Sequence, residues 1–257
     1  MYIKDYWNNK ENRAKDAKMH VEKMQKEYQS NIVHSKQMTK IYNPDFKYEH
    51  KQNGVVPKIV LSELDSVSAV YNFYNGKTAL LNFSSHKNPG GMFLNGSKAQ
   101  EECLCHESTL YNVLSGFETD FYEWNRKHLN KALYVNRGLY SPDIMFVKDN
   151  KELQCDVITC AAPNKSAAQK YQNVSDDVNT KELRSRIQFV LDMADENHVS
   201  TLILGAYGCG VFGQDPYEVA SIFKEFLNSK NYHFKTVVFG IPKGKNNNFE
   251  AFRKVFC

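Results

Sequence analysis

Five short apolar runs recur along the chain: Lys58-Ile59-Val60-Leu61, Thr78-Ala79-Leu80-Leu81-Asn82-Phe83, Val157-Ile158-Thr159-Cys160, Thr201-Leu202-Ile203-Leu204 and Thr236-Val237-Val238-Phe239. Helical patterns separate them at 98–114, 180–196 and 216–228. Brief runs with little polar alternation suit strands covered on both faces. Alternating with helices, they predict an α/β fold whose sheet lies between helical layers. In such sheets ligands bind outside the carboxyl ends of the strands, so chemistry is expected in the loops after Phe83, Cys160, Leu204 and Phe239. A chain of 257 residues removes roughly 70–75% of its extended surface from water on folding. That supports one large core, with an extension, without metals or crosslinks.

The extension is expected at the amino terminus. Residues 10–30 are rich in Lys and Glu, and Ala14, Ala17, Val21, Met24 and Tyr28 recur at three- and four-residue steps, the pattern of an amphipathic surface helix. Breaks at Asn43-Pro44 and Asn53-Gly54 follow, so a helical extension over 1–45 and a main domain over 46–257 are expected. Met1-Tyr2-Ile3-Lys4-Asp5 is no charged-then-apolar leader, and no run reaches the roughly 18 apolar residues of a membrane span. A cytoplasmic protein without a membrane partner is expected. Net charge is +4, from 33 Lys+Arg minus 29 Asp+Glu, without a basic, aromatic-interleaved stripe, so no sequence-specific nucleic-acid partner is expected. The cysteines 103, 105, 155, 160, 209 and 257 lack the paired spacing of a zinc ribbon. They read as reduced, mostly buried thiols; Cys103-Leu104-Cys105-His106 has no second ligand pair and is expected on the core face of a helix, without metal.

Two loops are glycine-rich. Gly205-Ala206-Tyr207-Gly208-Cys209-Gly210-Val211-Phe212-Gly213 contains a literal GxGxxG between a strand and a helix. A dinucleotide fold wants an acidic residue about 20 positions on, where Tyr232-His233-Phe234-Lys235 stands instead. What remains is a small-residue loop entering a helix with Asp215 as cap and Pro216 at its first turn: a phosphate cradle, or a tight turn that needs positive φ. The second glycine loop, Asn88-Pro89-Gly90-Gly91, leads through Asn95-Gly96 to Ser97-Lys98-Ala99-Gln100-Glu101-Glu102. Two such loops suggest a diphosphate held from both sides. Ser97 and Gln100 have capping-box spacing, and carboxylates suit a helix amino terminus. A carboxyl beside a phosphate loop is equally what glycosidic cleavage needs, to protonate the leaving oxygen as an oxocarbenium-like ribose forms. Adjacent helical residues point about 100° apart, so Glu101 and Glu102 take different tasks. His86 and His106 lack an identifiable Ser or Cys partner and are expected on the surface or behind the site.

The stretch Asn82 to Glu102, a glycine loop, a short spacer and Gln-Glu-Glu, resembles the signature of the bacterial-type poly(ADP-ribose) glycohydrolases of the macrodomain superfamily. Leu139–Asp143, Asp156–Asn164 and Leu204–Pro216 are similar to further blocks of that family, so the resemblance spans about residues 40–257. It implies a macrodomain-like three-layer α/β/α fold with a mixed central sheet and an ADP-ribose cleft at its crest, preceded by the helical extension. It also implies a glycosidase acting on poly(ADP-ribose) or an ADP-ribosylated protein with ADP-ribose as product, with neither cofactor nor metal; a monomer is expected. Residue by residue, Glu102 matches the catalytic acid and Glu101 the residue orienting ribose hydroxyls. Asn88 matches a terminal-ribose contact, Gly90 and Gly91 the loop along the diphosphate, and Gln100 the first residue of the Gln-Glu-Glu motif at the substrate site. Gly208, Cys209, Gly210 and Val211 match backbone phosphate contacts, and Phe212 the aromatic on the terminal ribose. One departure is Met92 at the third glycine position; if positive φ or close approach is needed there, the ribose pocket narrows. The alternative that follows from it is a catalytically weak ADP-ribose-binding module or sensor; a mono-ADP-ribosyl hydrolase is a separate alternative.

Overall fold

The computed structural model describes residues 7–50, 54–229, 231–244 and 247–257. Helices α1 (Lys10–Glu27) and α2 (Gln29–Met38) are followed by β1 (Lys40–Tyr42), β2 (Lys58–Ser62), α3 (Ser66–Phe73), β3 (Thr78–Phe83), α4 (Gln100–His106) and α5 (Leu110–Leu114). Short 3₁₀, π and α turns cover 115–132. Then come β4 (Gly138–Lys148), β5 (Lys151–Cys160), α6 (Lys165–Gln172), α7 (Asp176–Glu196), β6 (Thr201–Leu204), α8 (Pro216–Asn228), β7 (Thr236–Gly240) and α9 (Asn248–Phe256). All five expected strands are present, in one sheet of order β1-β4-β5-β3-β6-β7-β2. Neighbours from β5 through β3, β6 and β7 to β2 are parallel, while β1 and β4, and β4 and β5, pair antiparallel.

Period-two geometry sorts the strand residues into two cores. Leu81, Leu204, Val237 and Phe239 join Leu183, Ile187 and Val190 of α7 and Phe223 of α8 on one face. Leu80, Ile203 and Val238 join Val67 of α3, Leu104 of α4 and Val113 of α5 on the other, together with Ala17 of α1 and Ile32 of α2. The fold is therefore a three-layer α/β/α arrangement around a mixed sheet, and the amino-terminal helices belong to one layer.

Several local expectations are corrected. The helix expected over 10–30 ends at Glu27, and a second begins at Gln29. The Tyr28 hydroxyl donates to Glu152 at 2.7 Å, and the Asn31 and Ser35 side chains donate to the carbonyls of Asp143 and Pro142, turning α2 onto β4. β1 joins β4 directly, with Ile41 opposite Leu139. The pattern over 98–114 holds two helices, separated where Ser108 bridges to Phe146. Cys105, Cys155 and Cys160 are buried and Cys209 half-buried, whereas Cys103 and Cys257 are exposed; Cys103 is thus not a core thiol. Among the described residues no group of three His, Cys, Asp or Glu could hold a metal ion, and no helix is long and apolar enough to cross a membrane. Residues 1–5 and Asn53 of the expected turn lie outside the described residues.

Candidate active site

The carboxyl ends of the parallel strands open into a cleft of about 620 Å³, a volume typical of a small-molecule site. Its walls come from the strand ends and loops anticipated above: Phe83 at the end of β3, Ala162 after β5, Ala206, Gly208 and Gly210 to Phe212 after β6, and Ile241 and Pro242 after β7. Asp65, Ser66 and Val67, at the start of α3, form a further wall that the sequence reasoning missed. The available signal was Asp65 itself, a cap following a strand: its carboxylate accepts from the Ser68 amide at 2.9 Å. Asn248 of α9 also lines the cleft and had no sequence signal.

The Asn88–Ser97 loop folds back on the glutamates. Gly90 and Gly91 have φ of +64° and +61°, and a Cβ on Gly91 would stand 2.6 Å from Glu102 Oε1 and 3.0 Å from Glu101 Oε2. Only glycine fits there. The Gly91 amide donates to Asn88 O at 3.1 Å and the Met92 amide to Glu102 Oε1 at 2.9 Å, so these two donors face inward. Asn88 is exposed on this loop. Met92 has φ of −110° and is 48% exposed. Its side chain therefore requires no left-handed backbone, which answers the conformational half of the expectation at the third position of the triplet.

The capping box expected from Ser97 and Gln100 does not form. Ala99 is the N-cap of α4 and makes no side-chain cap bond. Instead Gln100 Oε1 accepts from the Phe83 amide at 2.9 Å, while its nitrogen donates to Leu81 O at 2.9 Å and Ser66 Oγ at 3.1 Å. Gln100 lines the cleft, yet its polar atoms tie α4 to β3 and α3. The two glutamates that follow take different partners. Glu101 is 3% exposed; Oε1 accepts from Asn82 Nδ2 at 3.1 Å and Oε2 from the Ser85 amide at 2.7 Å. Glu102 is 5% exposed, with Oε1 on Met92 and a buried Oε2 that has no hydrogen-bond partner.

Burial pushes the Glu101 carboxyl up from 4.5 to about 8, against the pull of the Ser85 and Asn82 donors. The folded protein then keeps a proton that the unfolded chain loses, so this contribution to stability declines as pH rises from about 4.5 to about 8 and is flat above. Glu101→Gln lacks it. Urea unfolding of both proteins should show the stability of wild type relative to the variant falling between about pH 5 and pH 8; a constant difference would exclude a raised Glu101.

The second loop is a run of turns. Cys209 N donates to Ala206 O at 3.1 Å, Gly213 N to Gly210 O at 3.0 Å and Gln214 N to Gly208 O at 3.0 Å. The amides of Gly208, Gly210, Val211 and Phe212 find no partner among the described residues. They are the donors this loop can offer an anion, whereas the Cys209 amide is committed to a turn. Gly208, Gly210, Val211 and Phe212 line the cleft, with Val211 86% exposed. Asp215 caps α8 as expected, accepting from the amides of Tyr217 and Glu218. Phe212 meets Tyr134 edge-on with centroids 6.1 Å apart, and Tyr134 stacks on His86 at 4.1 Å. His86 is 3% exposed, and burial lowers its pKa to about 3. It lies behind the site. His106, lowered to about 4 by burial, packs between Phe93 and Trp7.

A family model for the catalytic domain of microbial-type PARG matches residues 10–149, a span beginning at the first residue of α1. A comparison with curated proteins finds no match. Among solved structures the chain is similar to the poly(ADP-ribose) glycohydrolase of Thermomonospora curvata, with 26% identity over 96% of this chain and 100% of that one, TM-score 0.86. The same organism's enzyme bound to the inhibitor ADP-HPD matches at 27% identity over 96% and 100%, TM-score 0.85. The poly(ADP-ribose) glycohydrolase of Deinococcus radiodurans in complex with ADP-ribose is 30% identical over 88% of this chain and 98% of that one, TM-score 0.79.

Proposed function

Because this chain belongs to the microbial-type poly(ADP-ribose) glycohydrolase family, we propose that it cleaves the ribose–ribose O-glycosidic bonds of poly(ADP-ribose), releasing ADP-ribose, with Glu102 as general acid and base. The chain is a PARG-type glycosidase. The observation that carries the finer assignment is the difference between the two carboxyls. Glu101 has the raised pKa, ordinarily a mark of an acid catalyst, but both its oxygens are occupied by Asn82 and Ser85. Glu102 is held by one oxygen on the Met92 amide and keeps the other free. A proton donor needs an oxygen that is not already engaged, and Glu102 Oε2 is such an atom.

In the reaction, the Glu102 carboxyl gives its proton to the departing 2′ oxygen of the neighbouring adenosine as the C1″–O bond breaks. The ribosyl cation is stabilised by the adjacent diphosphate. The Glu102 carboxylate then takes a proton from the water that adds to C1″, which restores the acid and leaves a free ribose hydroxyl. The partnerless amides of Gly208, Gly210, Val211 and Phe212 hold the diphosphate, the loop of Gly90 and Gly91 lies along it, and Phe212, backed by Tyr134, packs on the terminal ribose beside Asn88. Glu101 orients the ribose hydroxyls.

Chromatography of products from poly(ADP-ribose) and from a mono-ADP-ribosylated protein tests this. Free ADP-ribose from the polymer is expected. Release from the mono-modified protein alone would substitute a mono-ADP-ribosyl hydrolase, and tight ADP-ribose binding without product would substitute a binding module.

A further inference from the structure

Arg13 is 6% exposed although it sits on the outer helix α1. Its Nε donates to Gly96 O at 2.7 Å, and a terminal nitrogen donates to Trp7 O at 2.7 Å. Gly96 has φ of +74°, and a Cβ there would lie 2.1 Å from Lys10 O and 3.0 Å from Ala14 N. The end of the glycine loop therefore lies directly on the first turn of α1. From Gly96 a chain of turns leads back to the candidate acid: Gly96 N to Phe93 O at 2.9 Å, Asn95 N and Ser97 N to Met92 O at 3.0 and 3.2 Å, and Met92 N to Glu102 Oε1 at 2.9 Å. Phe93, fully buried, meets His20 of α1 at 6.4 Å and His106 at 4.6 Å between ring centroids.

We propose that Arg13 is a positioning residue for hydrolysis: through Gly96 it holds the 92–97 turns in the register that presents the Met92 amide to Glu102, so that α1 aims the catalytic carboxyl from behind. The proposal rests on Glu102 as the acid. The physical reason is that, beyond the buried Phe93 side chain, the backbone of these turns is held by single hydrogen bonds in series. A displacement at Gly96 passes along its hydrogen bonds to Met92, and small misplacements of a catalytic group are costly in rate. The cleft walls at Asp65, Phe83, Ile241 and the Gly208 to Phe212 loop belong to other elements, so ligand contacts made there do not depend on Arg13.

Arg13→Ala is expected to lower kcat on poly(ADP-ribose) by about ten- to a hundredfold, while ADP, measured by calorimetry, binds within about twofold of wild type. Arg13→Lys, which keeps a donor for Gly96 O, recovers part of kcat. Gly96→Ala, which pushes the same contact apart from the other side, reproduces the loss. Ile32→Ala loosens α2 without touching the loop and keeps wild-type kcat at temperatures where it is folded. Hydrogen exchange at the Met92 amide is faster in Arg13→Ala than in Ile32→Ala. Wild-type kcat in Arg13→Ala, or an equal loss in Ile32→Ala, overturns the proposal. If Arg13→Ala does not accumulate folded, Arg13→Lys and Gly96→Ala decide on the same scale. Failure of wild type to release ADP-ribose would reject the functional reading, and exchange at Met92 would still judge the clamp, with unchanged protection in the variants rejecting it.

Discussion

Glu102→Gln is expected to reduce kcat on poly(ADP-ribose) by about 10²- to 10⁴-fold, the usual worth of a general acid–base, with ADP-ribose still bound. The substitution preserves shape, and the glutamine oxygen can still accept from the Met92 amide that now bonds Oε1 at 2.9 Å. The loop that encloses the side chain is therefore not released. What is lost is the transferable proton on the second, partnerless oxygen. Product release assayed under saturating polymer, alongside calorimetry with ADP-ribose, separates the two contributions. A variant that keeps full turnover would remove Glu102 from the mechanism. One that loses ADP-ribose affinity in proportion to turnover would make the residue a binding group.

Gly91→Ala should damage both stability and turnover. The left-handed backbone, φ +61°, costs an alanine about 1 kcal/mol or more. Its methyl would also meet Glu102 Oε1 at 2.6 Å and Glu101 Oε2 at 3.0 Å, and overpacking of that kind adds about 1–3 kcal/mol. Together these lower Tm by several degrees in a chain of this size, at about 2–4 °C per kcal/mol. Moving either carboxylate by a few tenths of an ångström accounts for a further loss of kcat of at least about tenfold. Gly76→Ala is the matched control: Gly76 has φ +63°, and a Cβ there would meet nothing within 4 Å, so the variant carries the backbone cost alone and leaves turnover untouched. Equal Tm shifts and equal kcat in the two variants would show that the collision at Gly91 is relieved without consequence.

Much of the layer plan was legible in the sequence, for a simple reason. β2, β3, β6 and β7 are continuous apolar runs because they are parallel strands with helices on both faces, and that pattern is local. β4 was not legible as a strand. It contains Pro142 and Asp143, the latter at φ +57°, and the ladder to β5 shifts register between Ser141 and Ile144; a bulge absorbs a proline that would otherwise interrupt pairing. β1 has three residues, too few to show a period. The amino-terminal helix was visible, but its division at Tyr28 was not, because the cause lies in Glu152, Asp143 and Pro142, more than 100 positions away.

The site divides in the same way. Spacing along the chain determined that two glycine loops follow strands, that Asp215 and Pro216 open a helix, and that neighbouring glutamates on a helix face different surroundings. These are consequences of backbone conformation and helical rotation, which neighbouring residues dictate. Tertiary structure alone decided what each polar atom meets. It turned Gln100 from a cap into a tie between α4 and β3, left one Glu102 oxygen without a partner while engaging both of Glu101, relieved Met92 of any left-handed strain, and laid Arg13 on Gly96. Each of those outcomes depends on groups brought within hydrogen-bonding distance by packing of separate layers, and hydrogen bonds and steric contacts act over a few ångströms of space whatever the distance along the chain.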